Sequence, residues 1–310
     1  MSTPKIRPLT PDLQSIARKE LFEDPNQIQG NLEILKQWLN QSAHIKARTD
    51  DQFLISFLRG CKYSLERAKQ KIDMYYTYRT HLPEIVGNRD PYDTKINEVI
   101  KKGVTLPLPI IGSPGSPRII FFRMNSYDPS RLRIEEIMKV FTMMNDILLI
   151  EDDSSVVAGQ ICVCDLANIS MGHIIQMQPA FLKKAIMIWQ ESSPIRQKGV
   201  HYINAPKIFE QMFALVKSLL NEKMRNRLFM HSSLDSLYSM VPREMMPIEY
   251  EGTAGSLQSL TDEWEKKFLS HRDFFLTETS IYGVDEKKRI GAAKNPLLGI
   301  DGTFKQLQVD

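Results

Sequence analysis

Residues 194–231, PIRQKGVHYINAPKIFEQMFALVKSLLNEKMRNRLFMH, read as strand, helix and strand in one unbroken run. Two cations, Arg196 and Lys198, lead into the apolar segment GVHYIN. Beyond it Ile208, Phe209, Met212, Phe213, Val216, Leu219 and Leu220 recur at the three-and-four spacing of a single helical face. Lys223, Arg225 and Arg227 stand at the far end of that helix, and residues 228–231 open another strand. An oily inner surface with charge at both ends is the form of a movable wall. It fits a protein that encloses something greasy and docks on something anionic.

The same alternation extends upstream. Residues 118–124 (RIIFFRM) and 160–166 (QICVCDL) are strand candidates, each followed by a helix, near 134–150 and 179–189. Short strands that are almost wholly apolar, separated by helices, predict a mainly parallel sheet with crossover helices. Residues 10–86 read instead as a small helical lobe. Asp24-Pro25 is placed to start a helix carrying Ile28, Leu32, Leu35, Trp38 and Leu39, and Thr49 and Asp50 both offer the cap of one carrying Phe53, Leu54, Phe57 and Leu58. Ser64 is placed to cap a third, with Ala68, Ile72, Tyr75 and Tyr76 inward, and Pro83 closes the lobe. Residues 87–117 are loop-rich. After Pro242 one more amphipathic helix, TDEWEKKFL, is expected with Thr261 as its cap. The expected organisation is a helical lobe at 10–86, an α/β domain at 87–275 and a tail at 276–310.

Composition narrows the function. With 42% hydrophobic and 25% charged residues the chain has the balance of a soluble globular protein. A net charge of +3 is too small for a nucleic-acid binder, so any basic surface is a local patch. No apolar leader segment stands at the N-terminus, there is no terminal lipidation box, and no uncharged run is long and apolar enough to span a membrane. Cys61, Cys162 and Cys164 fit a reduced, cytoplasmic compartment. Of the 15 methionines, 12 lie between Met138 and Met246, which suits either an adaptable apolar surface or a Met-rich core.

Catalytic patterns are missing. The chain has no GxGxxG, no GxxxxGK[ST] and no GxSxG. Cys162 and Cys164 have neither a second Cys pair nor a nearby His pair, so no metal is expected. His173, His201 and His231 share no ligand spacing and read as hydrogen-bonded structural residues. Asp165, at the carboxyl end of a strand, reads as a cap for the turn that follows. Neither enzyme chemistry nor a cofactor is expected.

The segments DDQFLISFLRGCKYSLERAKQKIDMYYTYR, CDLANISMGHIIQMQP, SSPIRQKGVHYINAPKIF, LLNEKMRNRLFMH and LYSMVPREMMPIEYEG resemble, in order and spacing, the CRAL-TRIO (Sec14-like) lipid-binding family. The subgroup they resemble holds the α-tocopherol-transfer and retinaldehyde-binding proteins, and the match spans about residues 30 to 275. The terminal GIDGTFKQLQVD is similar to the tail of invertebrate members. The resemblance implies a hydrophobic cavity under a hinged gate helix, here 204–227, with its apolar face on Ile208, Phe209, Met212, Phe213, Val216 and Leu220. It also implies a basic cleft for a phosphoinositide headgroup at Arg196, Lys198, Lys223 and Arg227. Lys223 and Arg227 are four apart, and Arg196 and Lys198 alternate along a strand, so each pair can point one way. Pocket positions carry over to Thr142, Asp146, Cys164, Met177, Ala185, Ile188, Trp189, Ser193, Ile195 and Val200. Ser193 and Cys164 stand where tocopherol-transfer proteins have large aromatics, and Trp189 and Asp146 replace smaller residues. A shift in register over 140–146 would instead turn Asp146 to solvent. A cavity so reshaped fits an isoprenoid, retinoid, carotenoid, sterol or fatty ligand as well as tocopherol.

The implied function is a monomeric cytoplasmic carrier of a lipophilic ligand. It would work peripherally on endosomal or plasma membranes, with docking aided by a phosphoinositide. Burial of a hydrocarbon chain contributes roughly 0.8 kcal/mol per methylene, enough for an apolar cavity to bind tightly. The alternative is a phosphoinositide-binding membrane-trafficking adaptor in which the cavity lipid is incidental.

Overall fold

The computed structural model describes residues 5–291. Five strands form one sheet in the order Thr105–Pro107, Arg118–Arg123, Gln160–Asp165, Gln197–Ile203 and Leu228–Met230. The first pair is antiparallel and the other three are parallel. The parallel strands are the apolar runs read from the sequence. The edge strand Thr105–Pro107 and the helix Thr94–Lys101 before it lie in the stretch expected to be loop. Proline is tolerated at a sheet edge, where only one row of backbone groups is paired, and this hid the strand.

The helix Ile134–Glu151 crosses from the second strand to the third and buries Ile137, Met143, Met144 and Ile147 against the sheet core. Pro179–Met187 runs on into a π-helical turn, Ile188–Ser192, ahead of the fourth strand. The expected gate helix is shorter than 204–227. It spans Phe209–Leu219, breaks where Leu220 turns extended, and is followed by a single turn, Glu222–Arg225, that Asn221 caps by accepting from Met224 N at 3.0 Å. A capping side chain inside an amphipathic pattern ends one helix and starts the next. Ile208, expected on the oily face, is 39% exposed because it precedes the first helical turn.

Helices Pro11–Leu21, Ile28–Gln41, Asp51–Gly60 and Leu65–His81 make the N-terminal lobe. Of the two cap candidates Asp50, not Thr49, takes the position, accepting from Phe53 N at 3.0 Å, and Ser64 takes the cap position without a side-chain bond. Asp24 instead bonds Asn26 N in a turn that precedes the helix. The lobe's core is aromatic: Phe57 meets Tyr75 edge-on at 5.5 Å, and Tyr75 meets Tyr76 at 5.1 Å. Leu149 and Val156 of the α/β part belong to this same core.

The late chain departs from expectation. Ser256, not Thr261, caps Leu257–Ser270, while Thr261 is buried and donates to Leu257 O at 2.7 Å. The helix Arg272–Ile281 runs across the expected start of the tail at 276. Gly283–Val284 pairs antiparallel with Ile45–Lys46, and Arg289 donates to Asp73 at 2.7 Å and Glu286 at 2.6 Å. This stretch therefore packs back on the N-terminal lobe. The rest of the expected tail, including GIDGTFKQLQVD, lies outside the described residues.

The lobes approach closely at Gly60, where a Cβ would fall 2.0 Å from Pro194 O. Gly60→Ala should therefore force the helix end off the start of the fourth strand. The expected loss is about 1–3 kcal/mol, the usual cost of overpacking, read as a lower urea midpoint.

Candidate functional site

Two features flank the segment 188–198, a pocket on one side and a cationic cleft on the other. The pocket is lined by Thr142, Asp146, Ala185, Ile188, Trp189, Ser193 and Ile195 among others. Those seven are positions expected from the sequence. Tyr75, Arg79, Val86, Met138, Phe141, Asn145 and Leu149 also line it. Tyr75 and Arg79 are one turn apart on Leu65–His81. Reading Tyr75 only as a core residue missed that the helical lobe forms part of the wall.

Asp146 does not face solvent. It is 3% exposed, accepts from Tyr75 Oη at 2.8 Å and Arg79 Nη2 at 2.5 Å, and is also paired with Arg89 Nη1. Burial alone would raise its pKa, but Arg79 and Arg89 hold it below the ordinary carboxylate range. Behind it Glu278 is 2% exposed, and burial pushes its carboxyl up to about 7.

The remaining expected pocket residues, Cys164, Met177 and Val200, do not line this pocket. Val200 is buried in the sheet core, and Met177 and Cys164 are partly buried against it. Phe122, Cys164 and Tyr202 stand side by side in register across three parallel strands. Phe209 and Phe213 of the gate cover this row, their rings 5.3 and 5.6 Å from that of Tyr202. Phe141, which lines the pocket, lies 5.1 Å from Phe122, so pocket and row adjoin. Met212 and Val216 pack partly buried on the same core, and Leu220 is buried at the end of the gate.

In the cleft, Arg196 Nη1 and Lys198 Nζ both donate to Glu20 Oε2, each at 3.1 Å. Arg196, just before the strand, and Lys198, within it, are thus brought together at the strand's entry. Burial would raise the Glu20 pKa, and the bonds from Lys198 and Arg196 overcome that and lower it. Lys223 lies in the turn Glu222–Arg225, whereas Arg227 comes after it and donates to Gln197 O, so the two do not share a helical face. They are neighbours nonetheless. The Lys223 pKa is lowered by partial burial and then by Arg227, Lys62, Arg67 and Arg196. Lys62 and Arg67 belong to the helical lobe, and no local sequence signal linked them or Glu20 to this cleft. Among the described residues, Lys62, Arg67, Lys223 and Arg227 have no carboxylate within ion-pair distance. A cleft with this surplus of cations has the chemistry of a polyanion site.

Other candidates resolve as structure. Asp165 accepts from Ala167 N and Asn204 Nδ2, each at 2.9 Å, and from Tyr250 Oη. His201 Nδ1, on the fourth strand, lies 2.9 Å from Nε2 of His231, just past the fifth, and His173 Nδ1 accepts from Ser170 N at 3.1 Å. Among the described residues no cluster of three or more His, Cys, Asp or Glu could hold a metal. None of their helices is long and apolar enough to cross a membrane.

A mainly parallel sheet carrying a covered apolar row, with an amphipathic helix over it and a cationic cleft beside it, defines a lipid-exchange type of α/β domain. Comparison with known proteins agrees. The family model described as "CRAL/TRIO domain" matches residues 113–252, and one described as "Pinta-like, UBA domain" matches 24–96. "Alpha-tocopherol transfer protein-like" of Homo sapiens is 33% identical over 272 residues, covering 87% of this chain and 78% of its own. "Clavesin-2" of Rattus norvegicus is 27% identical over 279 residues, covering 89% and 83%. Among solved structures Sfh5 gives a TM-score of 0.49 at 12% identity, covering 86% and 99%. The chain belongs to the CRAL-TRIO family, with a helical N-terminal region ahead of the CRAL-TRIO domain. As a member it is a lipid-binding transfer protein.

Asp146→Asn should leave two buried guanidinium groups without their counter-charge. An expected loss of about 3–5 kcal/mol follows, measured by urea denaturation.

Proposed function

We propose that this protein carries one lipophilic molecule of the isoprenoid, retinoid or tocopherol-like kind in its gated interior. It delivers that molecule by docking on membranes through a phosphoinositide headgroup. The observation that carries the reading is the cleft of Lys62, Arg67, Arg196, Lys198, Lys223 and Arg227 next to the end of the gate. Six cations meet there, with Glu20 as their one close carboxylate among the described residues. A headgroup with two or more phosphates supplies several acceptor oxygens and satisfies more of these donors than Glu20 does.

The steps are capture of the headgroup, outward movement of Phe209–Leu219, and exchange of the lipid with the bilayer. In this reading the protein acts as a monomer in the cytoplasm and on endosomal or plasma membranes. It needs no cofactor beyond its lipid and turns over no substrate.

Replacing Lys223 and Arg227 with Ala should lower lipid transfer to phosphoinositide-containing vesicles at least about tenfold, since hydrogen bonds to charged groups are worth roughly 1.5–3 kcal/mol each. Ligand binding without vesicles should be unchanged. Transfer unaffected by both replacements would sink the docking mechanism. Vesicle binding without any lipid exchange would instead favour the membrane-trafficking adaptor.

Glu20→Gln should act the other way. Removing the internal competitor of Arg196 and Lys198 should strengthen vesicle binding by about two- to fivefold, the scale of an exposed ion pair. The gain should shrink as salt is raised.

A further inference from the structure

An exposed ring stands at the rim of the cationic cleft on a backbone that ill suits it. The helix Pro11–Leu21, which carries Glu20, ends on Phe22 in the left-handed region, φ 63°. Glycine usually holds this closing position, and a bulky side chain there is strained. The strain brings no core contact in return, because Phe22 is 66% exposed and belongs to none of the hydrophobic clusters of the described residues. What fixes it is the next residue: Glu23 accepts from the buried Arg59 Nε and from Tyr63 Oη, each at 2.8 Å. Lys62 and Tyr63 are themselves left-handed, φ 54° and 59°, so two turns of like hand are bonded together. Lys62 Nζ then lies 5.7 Å from the centre of the Phe22 ring. Lys62 is one of the cleft's cations, and Glu20 bridges two more. Arg18 and Lys19 add exposed charge to the same helix end.

Such strain persists where the surrounding structure imposes it, and it collects at functional positions. A lone exposed ring is ordinary on a protein surface, but one held among cations is presented to something anionic outside and oily within. A bilayer with anionic headgroups has that layering. A free polyanion would satisfy the cations and leave the ring in water. We infer that Phe22 enters the acyl layer of the membrane when the cleft takes a phosphoinositide headgroup, so that the N-terminal lobe supplies an apolar anchor of its own. This rests on the docking reading above and adds to it a second, uncharged contact. The turn that carries the ring is fixed before contact, so little order is lost on insertion. Phe22 also lies outside Phe209–Leu219, so it holds the bilayer while that segment lifts.

The test compares full-length wild type, Phe22→Gly and Phe22→Trp in binding to phosphatidylcholine vesicles containing phosphatidylinositol bisphosphate, and to the free headgroup, inositol trisphosphate. Phe22→Gly should bind the vesicles about tenfold more weakly, the scale of burying one aromatic ring. Its headgroup affinity should be unchanged and its melting temperature equal or higher, since glycine suits the left-handed position. Phe22→Trp should bind the vesicles at least as tightly as wild type. Brominated acyl chains should quench its emission beyond the quenching of the native Trp38, Trp189 and Trp264 seen in wild type. Equal vesicle binding by wild type and Phe22→Gly overturns insertion and leaves headgroup docking standing. A matching loss of free-headgroup binding does the same, because Phe22 then only supports the cleft. Phe22→Trp without excess quenching also overturns insertion and turns the ring over to a protein partner. Should Phe22→Gly be unstable, the quenching of Phe22→Trp decides alone. Wild type that binds neither vesicles nor headgroup overturns the docking reading and insertion with it.

Discussion

Lys71 lies on the last helix of the N-terminal lobe, but its ammonium donates to two carbonyls of the other lobe, those of Gln190 and Ser193, each at 2.7 Å. Burial lowers its pKa to about 8, so the lysine gives up hydration to make these bonds. The carbonyls belong to the π-helical turn Ile188–Ser192 and the residue after it, where a widened helix end leaves backbone acceptors without partners. Gly60 permits the approach, since any side chain there would meet Pro194. Within these few residues the chain lines the pocket, with Trp189, Ser193 and Ile195, and then passes through Arg196 into the strand that carries Lys198. One inter-lobe contact thus sets the wall of the cavity and the first pair of cations together.

Two carboxylates on either side of that contact show how burial separates structure from exchange. Asp146 is enclosed with Tyr75, Arg79 and Arg89, and removing it would strand charge in a low-dielectric interior. Glu20 is exposed and bridges Arg196 and Lys198 from a different helix. Water screens it, and its bonds are of the kind another anion can replace. The first carboxylate fixes the wall of the pocket. The second holds two cations of the cleft together through bonds that a stronger anion could replace.

Much of this was legible in the chain, for identifiable reasons. The parallel strands are apolar on both faces and stand out as short runs such as QICVCDL, and the oily stripe of Phe209, Met212, Phe213 and Val216 is periodic enough to place the gate. Periodicity did not show where the gate stops, because the break at Leu220 depends on the Asn221 side chain turning back to Met224 N. The edge strand was masked by Pro107, and the cap at Ser256 by an equally plausible Thr261 a turn later. The cleft was legible only by half. Arg196, Lys198, Lys223 and Arg227 lie within one stretch of chain, whereas Lys62, Arg67 and Glu20 reach it from another lobe. Only the docking of the lobes brings those three near. The register of Tyr202 with Cys164 is likewise a property of paired strands and has no trace in either strand alone.

The ends of the gate constrain how it moves. At one end Asn204 adopts a left-handed backbone, φ 53°, that asparagine tolerates better than most residues, and its side chain donates to Asp165 Oδ1 at 2.9 Å. At the other, Asn221 caps the following turn and donates to Gln190 Oε1 at 2.6 Å. Gln190 is the residue whose carbonyl accepts from Lys71. The oily segment Phe209–Leu219 is therefore flanked at both ends by side-chain hydrogen bonds to the rest of the domain. Lys223 and Arg227 lie beyond the second of them, on the side of the sheet. A swing of the gate must be absorbed at 204–208 and at the extended backbone of Leu220, and it need not carry Lys223 or Arg227 with it. An uninterrupted helix from 204 to 227 would drag its cations away from Arg196 and Lys198 each time it opened. In the proposed exchange cycle, the break at Leu220 would let the cationic cleft stay assembled while the apolar wall lifts.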